Sequence, residues 1–349
     1  MQKMVTIRTL AKELGLSVSA VSKALNDYPD IGAETKALVQ RKAAELGYTP
    51  NLLARNLARK TSDFVGIVIR DVSSVYGEMF KCMSGVARRL GLHLILYDTD
   101  NDPDVEKRCV QNLVDSMAMG IVIAPVSGDV TEIIRMTRGR VPVVFLGGRV
   151  RNPKVNYVCA DSRTGTEMAL EHLITLGHRR IAMIFDDKQS ASRSTRLEVY
   201  RRRMKKLGEP ERVCTGTSGS ADILTAGYEL GRRMIAEGTD ATAVLAVKDM
   251  MALGLLQAFT EAGRRVPEDL SVIGYDGIDA AGLPLIGLTT VSQPRMEMAE
   301  HIFDMIIRHA EDPSLPQEHY LVRPELIERS TCAAPAGALD RDFRQDDPV

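Results

Sequence analysis

No apolar run in the sequence approaches the roughly 20 residues that a membrane-spanning helix needs. The opening stretch, MQKMVTIRTLAKELG, is too polar for a secretory signal. A cytoplasmic location with no membrane partner is therefore expected. Cysteine is sparse: the five thiols are scattered and form no C-x-x-C pair, so neither a disulfide framework nor a zinc site is written here. Enzyme signatures are missing as well. There is no G-x-G-x-x-G, no phosphate loop, no H-E-x-x-H and no G-x-S-x-G, and the six histidines fall in no ligand-like spacing. The segment GTSGSAD at 216–222 is rich in Gly and Ser but lacks the Lys and the strand–turn–helix context that phosphate binding requires. No catalytic residue, metal or cofactor is expected.

Net charge is also nearly absent, at −1, but its distribution is uneven. The first sixty residues carry ten Lys/Arg against five Asp/Glu, whereas the remainder has 35 against 41. A small basic end on a mildly acidic body suits a headpiece that meets phosphates and a body that does not. With 349 residues, 44% of them hydrophobic, the chain has material for more than one core.

Within the basic end, Ile7, Leu10, Ala11 and Leu14 share one helical face after Thr6, and Gly15 supplies a stop. Ser17 is a natural N-cap for a second short helix carrying Val18, Val21 and Leu25. A third follows Gly32 through Val39, Ala43 and Leu46 to Gly47. This is helix-turn-helix spacing. A recognition helix reads base edges in the major groove with its exposed N-terminal side chains, here Val18, Ser19, Ala20 and Lys23. Thr6, Ser17, Ser22, Asn26, Thr35 and Tyr48 are polar or amphipathic groups suited to the phosphate backbone. The same spacing also builds purely structural bundles.

After Tyr48-Thr49-Pro50, Asn51 caps a further short helical stretch, LLARNLARK, with Leu53 and Leu57 on one side. Such a helix is marginal alone. It can form beside a copy of itself over DNA, with Leu57 as a minor-groove wedge. It reads equally as a linker helix whose leucines pack on the headpiece.

The joint occurrence of S-x-x-x-V-S-x-A-L-N, L-G-Y-x-P-N and A-R-x-L resembles the headpiece of the lactose-repressor/galactose-repressor family across all sixty positions. The resemblance implies that Val18, Ser19 and Lys23 read bases and that Asn51, Ala54 and Leu57 belong to a hinge helix. Lys23 stands where the family commonly has Arg; lysine still donates to guanine but lacks the fixed bidentate fork.

From residue 62 apolar runs alternate with amphipathic stretches: FVGIVI, HLILYD, GIVIAP, VPVVFLG, then RIAMIF, TAVLAV and DLSVIGYD. The rhythm predicts doubly wound α/β lobes near 62–160 and 161–290, with a helix over 294–310 crossing back. Ligands in such sheets lie beyond the carboxyl ends of the strands, which here carry Arg70, Asp71, Pro125, Gly147 to Arg149, Asp186, Lys248, Asp249 and Asp276. Asp249 also reads as a helix cap, Asp276 as a turn residue and Arg149 as an interlobe ion pair.

EHLITLGHRRIAMI, SRSTRLEVYRR, VLAVKDMMALGLL, VPEDLSVIGYDG and LTTVSQP extend the family resemblance, more loosely, over this body. It implies two parallel-sheet lobes of periplasmic-binding-protein type, with Asp161, Arg196, Asp276 and Gln293 around an effector and His178 in a structural turn. Lys248 stands where the family has Asn, Tyr76-Gly77 replaces an aromatic pair, and Asp222 falls where some sugar binders place an aromatic. A pocket richer in cations (Arg70, Arg196, Lys248) and poorer in stacking surface favours a sugar acid or sugar phosphate over a neutral sugar. Alternatively, Lys248 pairs with Asp249 or Asp276.

The expected organisation is a headpiece over 1–50, a hinge over 51–61, a sensor body over 62–332 and a disordered Ala/Pro/Asp-rich tail over 333–349. A paired hinge demands a homodimer and a pseudo-palindromic double-stranded operator. The expected function is a DNA-binding transcriptional regulator; the rival is a solute-binding or ligand-sensing protein with no role on DNA. Leu57→Ala is expected to weaken specific DNA binding far more than nonspecific binding. Band shifts against a specific site and bulk DNA check this, and equal losses would remove the wedge role.

Overall fold

The computed structural model describes residues 5–48, 62–72, 74–148, 154–185, 191–216 and 222–336. Contacts divide the chain into one unit ending at Ser62 and another beginning at Asp63. The expectations placed on Asn51, Ala54 and Leu57, on Arg149 and Asp186, and on most of the tail lie outside the described residues.

The first unit holds α1 (Ile7–Leu14), α2 (Val18–Leu25) and α3 (Ala33–Glu45). Its buried side chains are Leu10, Ala11, Val21, Ala24, Val39 and Ala43, drawn from the apolar faces of all three helices. Each buried Val or Leu contributes about 1.5–3 kcal/mol, so this core is small and local signals matter. Thr6 caps α1 by accepting from the Thr9 amide at 3.3 Å, and Ser17 caps α2 by accepting from the Ala20 amide at 3.1 Å. Caps of this kind are worth about 1 kcal/mol each. Gly15 ends α1 in the left-handed conformation, at φ 64°, which glycine adopts without a side-chain clash.

In the second unit, the strands β1 (Phe64–Ile69), β2 (His93–Asp98), β3 (Gly120–Ile123), β4 (Val143–Leu146), β5 (Asn156–Ala160) and a late strand, β11 (His319–Val322), form one sheet. Its order is β11-β5-β4-β3-β1-β2, with every pairing parallel. The strands β6 (Ile181–Phe185), β7 (Val213–Thr215), β8 (Ala243–Ala246), β9 (Ser271–Asp276), β10 (Thr289–Ser292) and β12 (Glu325–Ile327) form the second. That sheet runs β12-β10-β9-β8-β6-β7, parallel except where β12 pairs antiparallel with β10. Each lobe therefore repeats one doubly wound order, with a topological switch beside its first strand. The central strands are buried along nearly their whole length, as parallel strands with helices on both faces must be.

Helices α4 (Ser74–Arg89), α5 (Pro103–Asp115) and α6 (Thr131–Thr137) cover the first sheet. Helices α7 (Ser162–Thr175), α8 (Ala191–Leu207), α9 (Ile223–Glu237) and α10 (Asp249–Glu261) cover the second. Helix α11 (Arg295–Glu311) follows the second sheet and packs Met298, Ile302, Phe303 and Ile306 into the core of the first. The edge strands β7, β11 and β12 and the short α6 carry no strong periodicity and had no counterpart in the sequence reading.

His178, expected to be structural, is 1% exposed and ties strand connections together. Its Nδ1 lies 2.9 Å from Thr242 Oγ1, and its Nε2 lies 2.8 Å from the Ala333 carbonyl. Residue 333, placed in the tail by sequence, is thus bonded to the body.

Helices α9 and α10 cross at two glycines. A Cβ on Gly254 would stand 2.0 Å from the Leu224 carbonyl oxygen, and one on Gly227 would stand 2.1 Å from that of Met251. Backbone cannot move aside as a side-chain tip can. Gly254→Ala should therefore destabilise the body by about 1–3 kcal/mol, the usual cost of overpacking. Urea unfolding measures this, and an unchanged midpoint would contradict the crossing.

Candidate DNA-reading helix and effector cavity

In the first unit the exposed end of α2 presents Ser17, Val18 and Ser19, with Val18 43% exposed despite its apolar side chain. Ala20, Ser22, Lys23, Asn26, Thr35 and Tyr48 are half-buried, and Thr6 is exposed. Ser17 uses a lone pair as a cap, which leaves its hydroxyl proton able to donate to a phosphate, whereas the Thr6 hydroxyl also shares a 3.1 Å hydrogen bond with the Thr9 hydroxyl. Asn26 Nδ2 donates to the Ser22 carbonyl at 2.7 Å, fixing the end of α2. The Lys23 ammonium is paired with the Asp30 carboxylate, which raises the lysine pKa and lowers the aspartate pKa by hydrogen bond and charge.

In the second unit a cavity lies between the carboxyl edges of the two sheets, where both lobes contribute its wall. From the first lobe come Arg70, at the end of β1, Tyr76 and Met79 on α4, and Gly147 after β4. From the second come Arg196 on α8, Lys248 after β8, Asp276 at the end of β9, Gln293 after β10, and Ser162 at the start of α7. Arg295, at the start of α11, completes it.

Arg196 organises the second-lobe wall. Its residue exposure is only 6%, and its guanidinium carbon stands 3.4 Å from the centre of the Tyr275 ring, a cation–π contact. Its Nη1 donates to the Val247 carbonyl, and its Nη2 lies 4.0 Å from Asp276 Oδ1. Its Nε is buried without a hydrogen-bond partner. Asp276 is 5% exposed and holds φ at 119°, a backbone conformation that L side chains rarely adopt. Gln293 Nε2 donates to its Oδ1 at 2.7 Å, and Arg295 Nη1 donates to its carbonyl at 2.7 Å. Strain of this sort persists only where surrounding bonds over-determine it, and it concentrates at functional sites.

Arg295 also bridges the lobes. Its Nη2 donates to the Gly277 carbonyl at 2.6 Å and lies 2.8 Å from Glu78 Oε2 on α4. Glu78 Oε1 in turn accepts from the Asp279 amide at 2.7 Å. Two lobes are thereby strapped together beside the cavity. Across it, Arg70 donates to the Tyr76 hydroxyl.

A family model described as a periplasmic binding protein-like domain matches residues 170–332. The HTH-type transcriptional repressor PurR of Pasteurella multocida is 29% identical over 334 residues, covering 94% of this chain and 98% of its own. The ribose operon repressor of Escherichia coli is 28% identical over 331 residues, covering 94% and 100% respectively. The structure of the lac repressor dimer bound to operator and the anti-inducer ONPF superposes with a TM-score of 0.85 at 26% identity, covering 95% of this chain and 100% of that one. Over nearly its whole length the chain is similar to regulators of the lactose-repressor/galactose-repressor type.

Among the effector positions expected from sequence, Arg70, Tyr76, Arg196, Lys248, Asp276 and Gln293 line the cavity. Asp71 and Asp161 do not. Asp161 caps α7, accepting from the Arg163 amide at 3.0 Å and the Thr164 hydroxyl at 2.7 Å. Asp222, read from sequence as a pocket substitution, caps α9 instead and accepts from the Thr225 amide at 2.8 Å. Arg295, Glu78 and Ser162 were missed; their positions depend on contacts between lobes that no local pattern records. Asp276-Gly277 is a turn dipeptide, the one cue to the strained backbone there.

Asp249 differs most from its sequence reading as a cap or cleft residue. Lys248 holds the N-cap position, and the Asp249 side chain turns into the core. It accepts from the Ile278 amide at 2.8 Å and from the Thr290 hydroxyl at 2.5 Å. Burial, then the nearby Asp276 charge, push its pKa from 3.8 to about 7. A carboxyl whose folded pKa is raised contributes stability below its unfolded value and loses it as pH rises to the folded one. Asp249→Asn, which keeps an acceptor for the Ile278 amide, should remove that loss. Its thermal midpoint should fall less than the wild type's between pH 3.8 and about 7. Parallel pH profiles would speak against a raised pKa.

Proposed function

We propose that this protein is a sequence-specific DNA-binding transcriptional repressor whose operator affinity is set by a small molecule held between the two lobes. One observation carries the proposal: a single chain couples an exposed helix-turn-helix reading end to a two-lobed cavity, and relatives named as repressors match it over 94% of its length. Val18, Ser19 and Lys23 are assigned to base edges, with Ala20 beside the groove floor. Thr6, Ser17, Ser22, Asn26, Thr35 and Tyr48 are assigned to the phosphate backbone, and Asn51, Ala54 and Leu57 to the hinge. The lac repressor structure is a dimer on its operator. By that likeness two copies of this chain bind a pseudo-palindrome, one half-site per headpiece.

The effector is a sugar or sugar derivative, consistent with the name of the ribose operon repressor among its relatives. Asp276, with two acceptor oxygens, suits paired hydroxyls; Arg196 and Gln293 supply donors. Occupancy acts on affinity through the strap at Arg295, which touches the cavity and both lobes. A ligand that favours one lobe arrangement shifts the operator-competent population only by its differential affinity for the two, typically 1–3 kcal/mol.

Selection of randomised duplexes by the full chain tests the proposal. Recovery of a palindrome is expected, and Lys23→Ala should relax specificity at one symmetric pair of positions by about 1–3 kcal/mol. Binding that follows salt alone, with no recovered sequence, would overturn base reading.

A further inference from the structure

Among the described residues, four cationic side chains line the cavity, Arg70, Arg196, Lys248 and Arg295, against the carboxylate of Asp276. Like charges gathered in a partly enclosed, low-dielectric cleft repel one another, and a bound anion offsets that repulsion. Of the described carboxylates nearby, Glu78 offsets one of these cations and the others are held by backbone and hydroxyl donors. Glu78 holds the Asp279 amide and pairs with Arg295. Glu106 is 3% exposed and accepts from the Val126 amide at 2.7 Å, and Asp249 holds Ile278 and Thr290.

Backbone dipoles act in the same direction. Helices α4, α7, α10 and α11 all begin at the cavity wall, through Tyr76, Ser162, Lys248 and Arg295. Neither α10 nor α11 has a side-chain N-cap. The positive ends of four helices thus converge where the cations stand. A separate observation points to a further acceptor: Arg196 Nε, in a residue 94% buried and forming part of the wall, has no hydrogen-bond partner among the described residues. A buried donor left unmade costs about 1–3 kcal/mol, more for a charged group, and an oxygen-rich anion in the cavity would satisfy it.

Aromatic surface, by contrast, is scarce. Among the described residues Tyr76 is the one aromatic ring in the wall, and its hydroxyl accepts from Arg70. Stacking of a bare sugar face or a purine is therefore poorly served.

Building on the regulator proposed above, we infer that its effector is an anion, a sugar acid or sugar phosphate, whose charged group is bound by the cationic wall while Asp276 and Gln293 take its hydroxyls. Lys248 is the residue that sets this preference, because it brings a compact charge to the end of a central strand.

The test is calorimetric titration of the full-length protein with D-ribose, D-glucose, their terminal phosphate esters and their aldonic acids, with inorganic phosphate as the anion alone. At least one anionic member should bind about tenfold or more tightly than its neutral parent. Lys248→Met should reduce that advantage by about tenfold or more, and Lys248→Arg should restore most of it, while thermal midpoints of both variants report intact folding. Equal or tighter binding of the neutral sugars, binding by none of the panel, or an anion preference unchanged in Lys248→Met would each overturn the inference. Operator selection by the same preparations stands apart from these outcomes, so a failure here is distinguishable from a failure of the DNA-binding function.

Discussion

A guanidinium buried at the end of the second sheet is the constraint on which the sensor body depends. Arg196 reaches from α8 across the end of the second sheet, rests on the Tyr275 ring, donates to the Val247 carbonyl and faces Asp276. A charge so buried is tolerable only when its surroundings supply compensating groups. Those groups come from the ends of β8 and β9, so the strand ends must keep their register. Parallel, doubly wound topology delivers this in both lobes, since the carboxyl ends of the parallel strands emerge on one edge. The strained backbone of Asp276 is held by Gln293 and Arg295, which follow the next strand of the same sheet.

From that wall the physical chain runs to the other lobe through one short relay. Arg295 carries the carbonyls of residues 276 and 277 to Glu78, and Glu78 carries on to the Asp279 amide. These bonds lie beside the cavity and span the cleft. A ligand that competes for any member alters the relative cost of lobe arrangements, and packed lobes respond by discrete shifts rather than gradual deformation. Helix α11 gives the relay reach, because its buried face packs under the first sheet along several turns.

Much of this was legible in the amino-acid order, and the exceptions have physical causes. The headpiece helices were readable because a Thr cap, a Ser cap and a left-handed glycine mark their ends within a few residues. The central strands were readable because burial on both faces leaves continuous apolar runs. Edge strands such as Val213–Thr215 and Glu325–Ile327 are too short to carry a period. Asp249 was misread because the sequence shows an acid at a helix start, whereas Thr290, about forty residues on, draws it into the core. Asp161 and Asp222 lie near expected pocket positions, yet their acceptors are engaged in local caps. Of the cavity residues named from sequence, Arg70, Lys248 and Asp276 were reached because charge at the carboxyl end of a buried strand has few other destinations, and Tyr76, Arg196 and Gln293 only through the family resemblance. Glu78 and Arg295 were beyond reach, being neighbours only through the tertiary fold.

The central claim is that one cavity ligand and one operator compete or cooperate through the same lobe equilibrium, and such coupling is reciprocal by thermodynamic necessity. The most direct measurement closes that cycle: operator affinity with and without a cavity ligand, then affinity for the same ligand with and without operator. The account predicts that the two ratios agree within error and differ from one. A ligand that binds equally well on and off the operator would contradict it.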